Sequence, residues 1–192
     1  MTFNDLAGLI RSGQARCGAV RLVAVDGPGG AGKSVFAEHV ARALGGVPIV
    51  HTDDFASWDR PHQWWPRLEE QVLEPLERGE TMRFQKYDWE RRELGDWVTL
   101  PDSDLVVVEG VSSSRAAARD RLTMAIWIET ARDERLRRGL DRDGASARRL
   151  WDQWMAEEDA FFERDRTRER ADLVVDGSPT LMHDPEEQFV KL

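Results

Sequence analysis

The stretch VRLVAVDGPGGAGKS, residues 20–34, joins a Val-rich apolar run to eight residues that satisfy G-x-x-x-x-G-K-[ST] in full. A run apolar at nearly every position reads as a strand buried on both faces of a parallel sheet. The turn that follows, Gly27 to Ser34, has the context that defines a phosphate-binding loop, with a strand before it and a helix after it. Consecutive backbone N–H groups must turn inward around phosphate oxygens, which requires glycine where a Cβ would clash or φ would be positive. On this reading Gly27, Gly29, Gly30, Ala31, Gly32, Lys33, Ser34 and Val35 form the nucleotide-binding cradle. Lys33 brings a point charge to the β and γ phosphates, Ser34 offers a hydroxyl to Mg²⁺, and the helix adds its positive end.

Working outward, Val35, Phe36, Ala37, Val40, Ala41 and Leu44 recur at helical spacing and Gly45-Gly46 closes the segment. A short strand over 47–51 then completes a βαβ unit. LVVVEG (105–110) and LTMAIWIE (122–129) read as further buried strands joined by a Ser/Ala-rich helical link, and ADLVVDG (171–177) as a fifth strand. Strands joined by helices predict an α/β protein: a single domain with the P-loop NTPase fold, a mostly parallel five-stranded sheet and helices on both faces. An insertion over about 55–102, with a helix at about 63–78 and a hairpin around Met82 to Leu100, is expected to bind the acceptor. A small lid is expected over about 132–165.

The 192 residues suffice for one full-sized core. The formal net charge of -9 argues against a general nucleic-acid binder. One cysteine, Cys17, excludes an intramolecular disulfide and points to a reducing cytoplasm. The opening MTFNDLAGLIRSG is too polar for a secretory leader, and no apolar run reaches the length of a membrane span.

Two adjacent carboxylates, Asp53 and Asp54, follow the 47–51 strand. Ligands of doubly wound sheets gather outside the carboxyl ends of the strands, so this position lies beside the phosphate loop. Asp53 reads as a general base that takes the proton of an attacking hydroxyl, and Asp54 as a hydrogen-bonding or metal-shell partner. The bland alternative, that both acids cap the loop entering Phe55, stays open for Asp54. Glu109, closing its apolar strand, fits an Mg²⁺-orienting acid. Among the arginines of TARDERLRRGLDRDG (130–144), Arg138 and Arg142 are expected to bring positive charge over the phosphates, the others pairing with Asp133 and Glu134 or meeting solvent. Trp58, Trp64, Trp65, Trp89 and Trp97 read equally as a satellite core or as an aromatic pocket wall. The stripe Trp151, Trp154, Met155, Phe161 and Phe162 reads as packing.

Taken in order, GPGGAGKS, TDDF, KYDW, VVVEG, RDERLRRGLDRD and RADLVVDG resemble the uridine kinase family of P-loop small-molecule kinases, relatives of nicotinamide riboside kinase, phosphoribulokinase and pantothenate kinase. The resemblance covers most of residues 21–177. It implies ATP as donor, Mg²⁺, a small-molecule acceptor and transfer of the γ phosphate to a hydroxyl, by preference a nucleoside 5′-hydroxyl. Residue by residue, it makes Asp53 the catalytic aspartate and assigns Lys33 and Ser34 to phosphate and metal, and Glu109 to the strand-end acid. It sets Tyr87 and Trp89 in the nucleoside pocket, Arg135 close to the acceptor, and Arg138 and Arg142 on the lid. The chain departs from the family at the acceptor: Glu90-Arg91-Arg92 stands where a base-reading histidine is expected, which makes Arg92 the candidate there. Phe55-Ala56-Ser57-Trp58 and His62-Gln63-Trp64-Trp65 depart as well. A sugar or pantothenate-like acceptor is the alternative within enzymes, and a nucleotide-binding regulator the alternative outside them. A guanine-reading Asn-Lys-x-Asp motif is absent from the sequence.

Overall fold

The computed structural model describes residues 1–57 and 64–192. It opens with a helix, α1 (Phe3–Ser12), which is an addition to the expected elements. Thr2 and Asp5 cap it reciprocally, and Leu6, Ala7 and Ile10 turn toward the core. β1 (Arg21–Asp26) leads into the glycine turn and α2 (Lys33–Ala43), and β2 (Ile49–His51) follows.

The insertion then begins. α3 (Trp65–Leu68), a π-helical turn over Glu69–Leu73 and α4 (Glu74–Arg78) make one helical run within the expected 63–78. Trp58, His62 and Gln63 lie outside the described residues. β3 (Arg83–Asp88) and β4 (Glu93–Thr99) form the expected hairpin as a separate two-stranded antiparallel sheet.

β5 (Leu105–Glu109) and β6 (Leu122–Glu129) return to the main sheet. The link between them is not the α-helix expected from its Ser and Ala content, but a loop and a 3-10 helix over Ala116–Arg121. The buried carboxylate of Asp26 explains the difference. It accepts from the backbone N–H groups of Ser112 and Ser114 and from the Ser114 hydroxyl, which takes those groups away from helical pairing and leaves Ser112 at φ 63°. α5 (Arg132–Asp143), α6 (Arg148–Asp165) and β7 (Leu173–Asp176) complete the chain's regular elements.

The main sheet has the order β2-β5-β1-β6-β7 and is parallel throughout. Alternation along β1 assigns the two layers. Leu22 and Ala24 face a core shared with Leu68, Val72 and Leu76 of the insertion. Val23 and Val25 face a core shared with α1 and α2. The register sets Glu109 beside Val25 on one side and His51 on the other, so the ends of β1, β2 and β5 converge at the phosphate loop. None of the described helices is long and apolar enough to cross a membrane.

Candidate active site

Two glycines show why the loop folds as it does. Gly30 has φ 77°, and a Cβ there would stand 2.6 Å from the Arg135 carbonyl oxygen; Gly32 has φ 101° and starts α2. Only glycine adopts both conformations without strain. Lys33 is buried and its Nζ donates to the Pro28 carbonyl at 3.0 Å, so its charge is held within the loop. Arg138 braces the same loop: one guanidinium nitrogen points at the carbonyls of Gly30 and Ala31, each at 3.3 Å, another at Gly177, and its Nε binds Glu134.

A cavity of about 480 Å³ opens over this loop. Gly29, Gly30, Gly32, Lys33, Ser34 and Val35 line its floor, while Gly27 and Ala31 support the floor from behind. Thr52, Asp53 and Ala56 line it from the end of β2, Glu109, Gly110 and Val111 from the end of β5, and Arg138 and Arg142 from α5. Trp64, Trp89, Trp151 and Trp154 supply its aromatic walls. The reading of the α6 stripe as packing holds for Met155 and Trp151, which are buried in the core, although Trp151 also borders the cavity, and is corrected for Trp154, which faces the cavity. The open choice for the insertion tryptophans resolves residue by residue. Trp89 lines the cavity, Trp64 and Trp65 are packed in the core with Trp64 also bordering the cavity, and Trp97 is exposed under the Arg83 guanidinium.

At the cavity floor Glu109 accepts from the Ser34 hydroxyl at 3.0 Å and contacts His51 Nδ1 at 2.7 Å. Burial works to raise the Glu109 carboxyl, but the His51 hydrogen bond, the Lys33 charge and the Ser34 hydroxyl outweigh it and keep it below the usual range. The same Glu109 hydrogen bond raises the His51 imidazole against its own burial. His51 was not among the residues expected here; its place one residue before Thr52-Asp53-Asp54 was the only sequence signal. Asp53 has surface that opens into the cavity, yet the protein surrounding it raises its carboxyl, with the Lys33 charge acting the other way.

Four expected residues stand elsewhere. Asp54 turns to the hairpin and pairs with Lys86 at 3.2 Å, which draws it away from the Ser34–Glu109 pair. Tyr87 does not line the cavity and instead packs edge-on against Trp89, their centroids 5.2 Å apart. Arg92 sits in the hairpin turn at φ 58°, exposed, and is not among the described residues that line the cavity. Arg135 is buried behind the loop, its Nε donating to the Thr130 carbonyl, so it does not reach the acceptor side. Glu158, which the sequence did not single out, lines the cavity with its carboxylate on the Gly29 amide at 2.9 Å. Among the described residues no group of three or more His, Cys, Asp or Glu could hold a metal ion by itself.

No family model matches the chain. Over 176 residues it is 24% identical to the uridine kinase of Halobacterium salinarum, covering 80% of this chain and 78% of that one. A provisionally assigned uridine kinase from Bacillus stearothermophilus superposes with a TM-score of 0.64 at 21% identity, over 90% of this chain and 96% of that one. A provisionally assigned fructose transport system kinase from Silicibacter sp. TM1040 gives 0.66 at 21% identity, over 91% and 98%. Fold, phosphate loop and these likenesses give the chain the fold of the P-loop kinases. Within that fold class the chain is similar to proteins described as uridine kinases.

Proposed function

We propose that the protein transfers the γ phosphate of ATP to a hydroxyl of a small molecule. One observation carries the reading: Asp53 opens onto the same cavity as Lys33, Ser34 and the glycines of the phosphate loop. A base that shares a chamber with the phosphate loop can take the acceptor's proton as its oxygen attacks the γ phosphorus and ADP leaves. The Lys33 and Arg142 charges offset the negative charge on the phosphates, and Arg138 keeps the loop in shape. The α5–α6 segment acts as the lid, and the insertion supplies the acceptor wall.

The Ser34 hydroxyl and the ionised Glu109 are hard oxygen groups already 3.0 Å apart, a pairing that suits Mg²⁺. When bound with the donor, that ion would neutralise phosphate charge, with water and phosphate oxygens as its further ligands. A second cavity of about 240 Å³ shares Gly32 and Val35 with the first and runs between α2 and the segment after β7. It is our assignment for the donor's base.

A nucleoside 5′-hydroxyl is the first acceptor by family likeness. Tyr87 and Arg92 are not among the described residues that line the cavity, which favours a second reading in which the indoles of Trp89 and Trp154 stack a sugar or another non-nucleoside acceptor. An ADP-release assay with Mg-ATP against nucleosides, sugars and pantothenate, with a no-acceptor control, tests both. Turnover with uridine or cytidine supports the first, and turnover only with another class supports the second. ATP binding with no acceptor-dependent turnover moves the protein to the regulators.

A further inference from the structure

We propose that Glu158 is the resident anion of the phosphate loop: its carboxylate holds the Gly29 amide until a donor phosphate displaces it, so donor binding and release of the middle of α6 are one event. The inference rests on reading the loop as the donor's site.

The contact is built into the fold. Glu158 is 8% exposed although it is charged, and its Oε2 accepts from Gly29 N at 2.9 Å. A Cβ at residue 29 would stand 3.0 Å from Glu158 Oε1 and 3.3 Å from the Trp151 ring, so α6 packs directly on the loop. Trp151, Met155 and Glu158 lie at i, i+4 and i+7, on one face of the helix. Trp151 fixes that face by donating from Nε1 to Asp143 at 2.9 Å. Behind the loop, the buried Arg135 feels the charges of Glu158 and Asp159, and its Nη1 has no hydrogen-bond partner.

A phosphate-binding loop uses its backbone N–H groups for anions. One N–H cannot serve a carboxylate and a phosphate fully at once, and two anions set against each other on one loop repel. Glu158 therefore satisfies the loop while it is empty of donor and opposes the donor's arrival. When the carboxylate leaves, the face of α6 that carries Trp151 moves with it, and that face is a wall of the acceptor chamber. Donor occupancy would then reshape the acceptor side before any acceptor binds.

The test is isothermal titration with ATP in magnesium buffer, without acceptor, for the wild type, Glu158→Gln and Glu158→Ala. Glu158→Gln keeps the size of the side chain and removes its charge, so ATP should bind about tenfold more tightly, and at least as tightly in Glu158→Ala. Hydrogen exchange on the wild type supplies a reading that needs no variant: ATP should raise exchange within residues 155–162. Equal or weaker ATP binding in Glu158→Gln, beside a wild type that binds, overturns the proposal and leaves the kinase reading intact, as does unchanged or slower exchange in α6. No ATP binding by the wild type or either variant overturns both.

Discussion

The indole N–H of Trp89 donates to the backbone carbonyl of Asp53 at 3.3 Å, tying the hairpin of the insertion to the end of β2. Trp89 is thus both a wall of the cavity and a brace for the residue assigned as base. Trp89→Phe keeps an aromatic wall and deletes the donor. The loss of one partly exposed hydrogen bond, about 1 kcal/mol, predicts a severalfold fall in kcat/KM for the acceptor. ATP affinity should not move, because the hydrogen bond that is deleted holds the end of β2 and not the phosphate loop. A fall in ATP affinity as large as that in kcat/KM would contradict this division of labour.

The paired aspartates should separate cleanly on substitution. Asp53→Ala should lower turnover by on the order of a hundredfold or more with ATP binding nearly intact, the scale of losing a general base. Asp54→Ala releases Lys86 from an ion pair at the protein surface and should cost turnover only about threefold or less. The wild-type pH profile carries a second sign. As a base Asp53 would work in its deprotonated form, and its carboxyl is raised by the surrounding protein, so the acid limb of kcat/KM should bend above the ordinary value of 3.8. Equal losses in the two variants would return Asp53 to the role of a loop cap.

How much of this could be read in the chain follows from how local each signal is. The phosphate loop was legible because its glycines answer to backbone geometry within eight residues, and the strands because Val-rich runs such as Leu105 to Val108 are buried on both faces. The placement of Asp53 and Glu109 beside the phosphate loop was legible because the carboxyl ends of parallel strands share one edge. Arg135 and Asp54 were misplaced because their partners, the Thr130 carbonyl and Lys86, are set by tertiary contact that a motif does not encode. Glu158 left no local trace: the Gly29 amide it accepts from is 129 residues away. The loop after β5 failed as a helix for a similar reason, since the competing acceptor is Asp26 of another strand.

That same Asp26 should leave a mark on stability. It is wholly buried, and burial pushes its carboxyl up to about 6 against the hydrogen bonds from Ser114 and Gly27. Its folded pKa lies above the unfolded value of 3.8, so the folded state holds the proton over that window. The contribution is therefore present at low pH and lost as pH rises through the folded pKa, about 3 kcal/mol across the window. Melting of the wild type relative to Asp26→Asn, scanned from about pH 4 to about pH 7, should show the difference shrinking as pH rises. A difference that is flat or grows would mean the four donors around Asp26 keep it ionised.

The last relationship is between α5 and α6. A Cβ at Gly139 would stand 2.3 Å from the Trp151 ring, whose Nε1 is held on Asp143 and whose far edge faces Gly29. In an isolated helix Gly139→Ala would stabilise α5 by up to about 1 kcal/mol. Here the added methyl must displace the indole, and overpacking of this kind costs about 1–3 kcal/mol, so the clash wins and Tm should fall. The displaced ring moves either toward the phosphate loop or into the acceptor chamber, and each path carries its own kinetic sign. Pressure on Gly29 weakens ATP binding, whereas intrusion into the chamber raises the acceptor KM at unchanged ATP affinity. Since even a Cβ at residue 29 would stand only 3.3 Å from the ring while the chamber is open volume, the second outcome is expected. A Gly139→Ala protein with raised Tm and unaltered kinetics would show that Trp151 is not fixed between the two helices.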